Sequence, residues 1–158
     1  MAFNQLDALN QVWTDFDDLF ASFQLAYVGN TLYGIVYRTD DVTWLQSATA
    51  HENDSVELFF SFDDRVTVTQ IRSKVGEGFA QLVGGQEPVT AWSEDGTIFE
   101  FAIDLSAVGV EIKPGLILPF NIAINDADGP GRKTQLYPFA GNNTSWRDAS
   151  ALGAIVFE

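Results

Sequence analysis

Asp54-Ser55-Val56-Glu57-Leu58-Phe59-Phe60 sets Val56, Leu58 and Phe60 on one side of an extended chain and Glu57 with Phe59 on the other, because successive side chains of a β-strand point to opposite faces. The next apolar run begins at Val66, and Asp64-Arg65 taken as a two-residue hairpin loop sets Asp63 against Val66. Counting back along both strands places Glu57 opposite Arg72 and Phe59 opposite Gln70, so a carboxylate and a guanidinium share one sheet face. Phe120-Asn121-Ile122-Ala123-Ile124-Asn125 repeats the pattern, with Phe120, Ile122 and Ile124 inward and Asn121, Ala123 and Asn125 on the opposite face. A face carrying Glu, Arg and two Asn offers donors and acceptors suited to hydroxyl-rich ligands.

The same period of two runs along the whole chain, and Gly, Asn or Asp interrupts it every 8 to 12 residues. Strands are predicted over Ala21–Val28, Thr31–Arg38, Asp54–Phe62, Val66–Val75, Phe79–Val83, Val89–Ser93, Thr97–Asp104, Leu118–Asn125, Thr134–Phe139 and Gly153–Phe157. Gly29-Asn30 and Asp95-Gly96 read as two-residue hairpin turns, the latter of type I′. Leu105–Val108 before Gly109 reads as one short helical turn. With no internal repeat and no linker, residues 1–158 are expected to form a single all-β domain, an antiparallel β-sandwich of jelly-roll or immunoglobulin-like type.

Composition narrows the function. At 158 residues, 46% hydrophobic and 13% aromatic, the chain can bury a core without a covalent staple. Eight Lys and Arg against 22 Asp and Glu give a net charge of −14, which makes nucleic acid and anionic membranes poor partners. No cysteine means no disulfide, no thiolate-bound metal and no thiol nucleophile. His51 is the single histidine and Met1 the single methionine, so His-pair metal motifs are absent and a bis-ligated haem is nearly excluded. Met1-Ala2-Phe3-Asn4-Gln5 lacks the basic start and apolar stretch of a signal peptide; the expectation is a module cut from a longer secreted protein.

Three places invite chemistry. Ala140-Gly141-Asn142-Asn143-Thr144-Ser145-Trp146-Arg147-Asp148 sets Trp146 among small polar residues, where alternation does not bury it. An indole in such a loop is either a core plug or a platform for the apolar C–H face of a pyranose. Asn125-Asp126-Ala127-Asp128-Gly129-Pro130-Gly131 offers hard oxygen ligands beside glycines, which suits Ca²⁺ rather than zinc, although it is not an EF-hand loop. Asp40-Asp41 is a second acidic corner, and a solvated turn is the alternative at both places. Catalysis is disfavoured, because a glycosidase needs two facing carboxylates and Glu57 has Arg72, not a second acid, on its face.

Together these residues resemble the family 9 carbohydrate-binding modules. The matching blocks, in order, are Ser22-Phe23-Gln24-Leu25-Ala26-Tyr27, Asn30-Thr31-Leu32-Tyr33, Asp54 to Phe59, Phe99-Glu100-Phe101-Ala102-Ile103, Phe120 to Gly129, and Trp146-Arg147-Asp148-Ala149-Ser150. The resemblance implies a non-catalytic β-sandwich, often with structural calcium, that grips a sugar or polysaccharide end between two tryptophans as an accessory module of a secreted bacterial polysaccharide-acting protein. Trp146 is similar to one wall of that clamp, and Asn143, Glu57 and Arg72 fall where the family's polar contacts lie. The position of the second tryptophan corresponds to His51, with Trp44 the nearest indole, and Ala123 stands where sugar-gripping members carry an amide. The usual N-terminal Ile-Asp-Gly opening is absent. Calcium is expected from the resemblance, with Asp126, Asp128 and Asp40 as its candidate ligands. The alternative is a calcium-stabilised structural domain without sugar affinity.

Overall fold

The computed structural model describes the strand Asn4–Leu6 and residues 14–138 and 144–158. Two antiparallel sheets account for the described strands. In chain order these are β1 (Asn4–Leu6), β2 (Leu19–Val28), β3 (Thr31–Asp40), β4 (Ser55–Phe60), β5 (Thr69–Lys74), β6 (Val89–Trp92), β7 (Ile98–Asp104), β8 (Ile117–Asp126), β9 (Thr134–Tyr137) and β10 (Gly153–Val156). One sheet runs β2-β3-β7-β6. The other runs β1-β9-β8-β4-β5, with β10 added to β8. Strand β8 spends its first residues on β10 and its last on β9, while β4 lies along its other edge. No helix among the described residues is long and apolar enough to cross a membrane.

The core lies between the sheets and is built by alternation. Val56, Leu58 and Phe60 of β4, Phe120, Ile122 and Ile124 of β8, Leu32 and Val36 of β3, and Phe99, Phe101 and Ile103 of β7 are all buried there. Gly34 belongs to the same inward set on β3 because the Phe101 ring lies over it: a Cβ at Gly34 would fall 2.1 Å from Phe101 Cζ. Gly34→Ala is therefore expected to destabilise the fold by about 1–3 kcal/mol through overpacking. A thermal melt that matches the parent protein would show that the Phe101 ring can move aside without cost.

The hairpin count along β4 and β5 holds: Glu57 faces Arg72 and Phe59 faces Gln70. The ladder itself stops at Phe60 and Thr69. Between them Asp64 and Arg65 both take positive φ, 56° and 69°, the backbone that a primed turn requires. Asp63 closes this loop by accepting from Ser61 Oγ at 2.9 Å, Thr67 N–H at 2.9 Å and Thr67 Oγ1 at 2.7 Å. Arg65 is held in its unusual conformation by donating to the carbonyls of Ala149 and Leu152 at 3.1 and 2.8 Å.

Of the other turn and strand expectations, some hold and some change. Gly29-Asn30 is the two-residue turn between β2 and β3, and Leu105–Val108 is a 3₁₀ turn ended by Gly109 at φ 75°. Asp95-Gly96 instead sits in a four-residue loop between Ser93 and Ile98, whose N–H and C=O pair at 2.9 Å. Only Gly96 there has positive φ, 72°, so the turn is not type I′; the Asp95 carboxylate accepts from Ser93 Oγ and Thr97 and shapes the loop. Phe79–Val83 is not a strand. Phe79 and Val83 are buried from a loop that makes only isolated bridges to Ser73 and Gln86, and alternation cannot separate that case from a ladder. The three-residue β1 was too short to predict from period, and Phe139 lies outside the described residues.

Candidate functional site

The outer face of the six-stranded sheet is divided. Part of it packs a small apolar cluster of Phe59, Ala123, Tyr137, Ala149 and Leu152 beneath the returning 144–152 segment. The rest opens into a cleft of about 400 Å³ lined by His51, Glu57, Phe59, Gln70, Arg72, Arg132, Gln135, Tyr137 and Trp146. Strands β4, β5 and β9 contribute pairs two residues apart, as one face of a sheet must. A second hollow, about 430 Å³, lies on the opposite sheet around Tyr33, Ile35 and Val89, with Glu100 as its one charged residue.

At the floor of the cleft Glu57 is 2% exposed. Its Oε2 accepts from Gln70 Nε2 at 2.9 Å, and Gln70 Oε1 in turn accepts from Arg72 Nη2 at 3.2 Å. Arg72 Nε stands 3.8 Å from Glu57 Oε1, an ion pair too long for a hydrogen bond. Glu57 Oε1, Arg72 Nε and Arg132 Nε are buried without a hydrogen-bond partner in the chain. Such groups are costly to bury unless something pairs with them. The Tyr137 hydroxyl donates to Gln135 Oε1 at 2.6 Å, and burial, with the Glu57 charge second, raises its pKa.

Trp146 is 53% exposed and so presents much of its indole to solvent at the cleft wall. The Arg147 guanidinium carbon lies 5.1 Å from the ring centroid, within cation–π range. The turn carrying it is fixed by Arg147 and Asp148 N–H groups donating to Thr144 C=O, each at 2.9 Å. Beneath it Asn121 Nδ2 donates to the buried Ser145 Oγ at 3.1 Å.

The two β8 asparagines thus act differently from expectation. Both point to the outer face but are fully buried. Asn121 anchors the Trp146 turn, while Asn125 Oδ1 accepts from Arg132 Nη1 at 3.0 Å and holds that side chain at the cleft. Trp44 does not line the cleft. Its backbone N–H donates to Asp54 Oδ2 at 2.6 Å instead, which ties the 41–49 segment to the start of β4. His51 reaches the cleft from a 3₁₀ turn, Ala50–Glu52. Asn143 lies outside the described residues.

A second polar centre sits at one end of the sandwich. Carboxylate oxygens of Asp40, Asp126 and Asp128 lie within 4.8 Å of one another, as do those of Asp18, Asp41 and Asp128. Arg38, buried on the inward side of β3, pairs with Asp40 and stands 3.7 Å from Asp54 Oδ1. One guanidinium faces many acids, and Asp126 Oδ1 is buried with no hydrogen-bond partner. Burial, then the charges of Asp128, Asp54 and Asp18, push the Asp126 carboxyl up to about 7. Burial likewise raises Asp54, to about 6.

The profile of the carbohydrate family 9 binding domain-like family matches residues 2–158. The chain belongs to that family. Among relatives of this family 9 domain, Exoglucanase XynX of Acetivibrio thermocellus is 25% identical over 166 residues, covering 97% of this chain and 15% of the relative. Endo-1,4-beta-xylanase C of Paenibacillus barcinonensis is 26% identical over 148 residues, covering 86% of this chain and 13% of the relative. The chain therefore spans only a small fraction of either protein. Two structures of a carbohydrate binding module family 9 from Caldicellulosiruptor kristjanssonii, one in complex with glucose and one with cellotriose, share its fold with TM-scores of 0.78 at 22% identity. They cover 99% of this chain, and it covers 84% and 83% of theirs.

In this family 9 domain the sequence-derived set Trp146, Glu57, Arg72 and His51 converges on one cleft. Gln70 was already placed on this face, opposite Phe59, by the hairpin count. Arg132, Gln135 and Tyr137 were missed, because Asn125 pairs with Gln135 through β9 and no turn dipeptide announces that register.

Proposed function

We propose that this family 9 domain is a non-catalytic sugar-binding module and that its cleft is the binding site. One observation carries the proposal: a half-exposed indole, Trp146, stands at the wall of a cleft whose floor holds buried, incompletely paired charged atoms of Glu57 and Arg72. A pyranose laid on the indole covers apolar surface on one face and presents hydroxyls on its rim to the polar side chains that line the cleft, Gln70 and Arg72 among them. His51 supplies part of the second wall where the family resemblance expects an indole, and Asn143 joins the polar contacts on that resemblance. The absence of a second carboxylate among the lining residues supports binding without cleavage, since glycoside hydrolysis uses two. The names of the two relatives, an exoglucanase and a xylanase, support a role as an accessory domain of a larger secreted polysaccharide-acting protein.

Titration of tryptophan fluorescence with glucose, cellotriose and xylo-oligosaccharides tests the proposal, with a saturable change expected for at least one of them. A flat response to all three would favour the structural-domain alternative, which His51 in place of an indole also favours. Within the cleft, Arg72→Ala removes a donor and leaves Glu57 without its cation, so calorimetry should show sugar affinity lowered about tenfold or more. Unchanged affinity would place the sugar elsewhere.

We also propose a structural Ca²⁺ held by Asp126, Asp128 and Asp40, with Asp18 and Asp41 close enough to share it through Asp128. The donor set fits a hard cation: all oxygen, densely anionic and including the unpartnered Asp126 Oδ1. The ion would supply the positive charge that Arg38 alone does not.

A further inference from the structure

We infer that the cleft selects a sugar bearing a carboxylate, a hexuronic acid residue, over its neutral counterpart. The inference rests on the sugar-binding proposal and adds the ligand's charge. The chain is strongly acidic, with 22 Asp and Glu against eight Lys and Arg. The cleft reverses that balance, because its lining holds two arginines against the single carboxylate of Glu57. Arg147, a third guanidinium, lies over the Trp146 ring at the same wall.

The pairing within the cleft shows which charge is left over. Arg72 has Glu57 as its counter-ion at 3.8 Å. Arg132 has no carboxylate within 4.0 Å among the described residues. Its Nη1 is spent on the neutral Asn125 amide oxygen, and its Nε is buried with no hydrogen-bond partner. A guanidinium partly withdrawn from water is stabilised far more by an anion than by a hydroxyl. With Nη1 spent and Nε buried, Nη2 is the donor left to face a carboxylate in the cleft. At about 0.1 M salt the screening length is about 10 Å, so a bound carboxylate responds to the cleft's own charges more than to distant acids of the chain.

Calorimetry of the purified chain at neutral pH and about 0.1 M salt, with glucuronic acid, glucose and glucose 6-sulfate, tests the inference. Glucuronate is expected to bind about tenfold tighter than glucose or more. Arg132→Gln should collapse that ratio towards one, and Arg132→Lys should retain part of it. Glucose binding as tightly as glucuronate would overturn the inference and leave the sugar-binding proposal standing. Binding of none of the three would overturn the inference, and the oligosaccharide titration then decides the sugar-binding proposal separately. Equal affinity for the sulfate ester would overturn the assignment to a carboxylate.

Discussion

Trp146→Ala should abolish measurable sugar binding while leaving a cooperative thermal transition close to that of the parent chain. Removing an aromatic platform at the centre of a contact typically costs about 2 kcal/mol or more, roughly a thirtyfold loss of affinity. The stability side follows from exposure: the indole is 53% exposed, and substitutions away from buried features change stability by only about 0.5 kcal/mol. The turn beneath it is held by Thr144 C=O and by Asn121 through Ser145, none of which needs the indole. Calorimetry and circular dichroism on the same sample separate the outcomes. Loss of the folded signal would make Trp146 a structural residue, and retained affinity would move the sugar off it.

Calcium is expected to raise the melting temperature by a comparable margin. At 100-fold excess over Kd an ion that binds only the folded chain contributes about 2.7 kcal/mol, roughly 5–10 °C for a domain of this size. Mg²⁺ at matched ionic strength is the control, because it screens equally but fits an irregular carboxylate cluster poorly. In chelator the pH dependence has a definite sign. The Asp126 carboxyl titrates at about 7 in the fold against an ordinary value of 3.8, so between those values the folded chain binds more protons than the unfolded one. Stability without the ion therefore falls as pH rises from about 4 to 7. The gap between calcium and chelator should be widest above pH 7 and close on acidification, as protons replace the cation. Identical melts in EDTA, Ca²⁺ and Mg²⁺ would remove the ion from this site.

Alternation made much of the sandwich legible. It sorts Val56, Leu58, Phe60, Phe120, Ile122 and Ile124 into the core without knowledge of their partners. The hairpin register was legible because one turn, at Asp64-Arg65, fixes every pair along β4 and β5. Period names a face but does not say whether something covers it. Phe59, Asn121 and Asn125 were placed on the correct face, yet they are buried because the 144–152 segment returns over the first two from farther along the chain and Arg132, seven residues on, folds back over the third. Trp44 misleads for a related reason: closeness in sequence to His51 does not bring it to the cleft, since its backbone is tied to Asp54. The acidic centre was only half visible, as Asp40 and Asp126 end strands of different sheets.

Asn125 and Asp126 are neighbours at the end of β8 and serve different centres: one holds Arg132 at the cleft, the other belongs to the acidic cluster. The short connection that follows carries Asp128 to that cluster and Arg132 to the cleft. If the proposed cation and the proposed sugar both bind, this one connection touches both sites, and any coupling between them would run through it. Such linkage is reciprocal: the factor by which an ion changed sugar affinity would be the factor by which sugar changed the ion's. Titrating the sugar in calcium and in chelator would measure that factor, and equal affinities would set it at one.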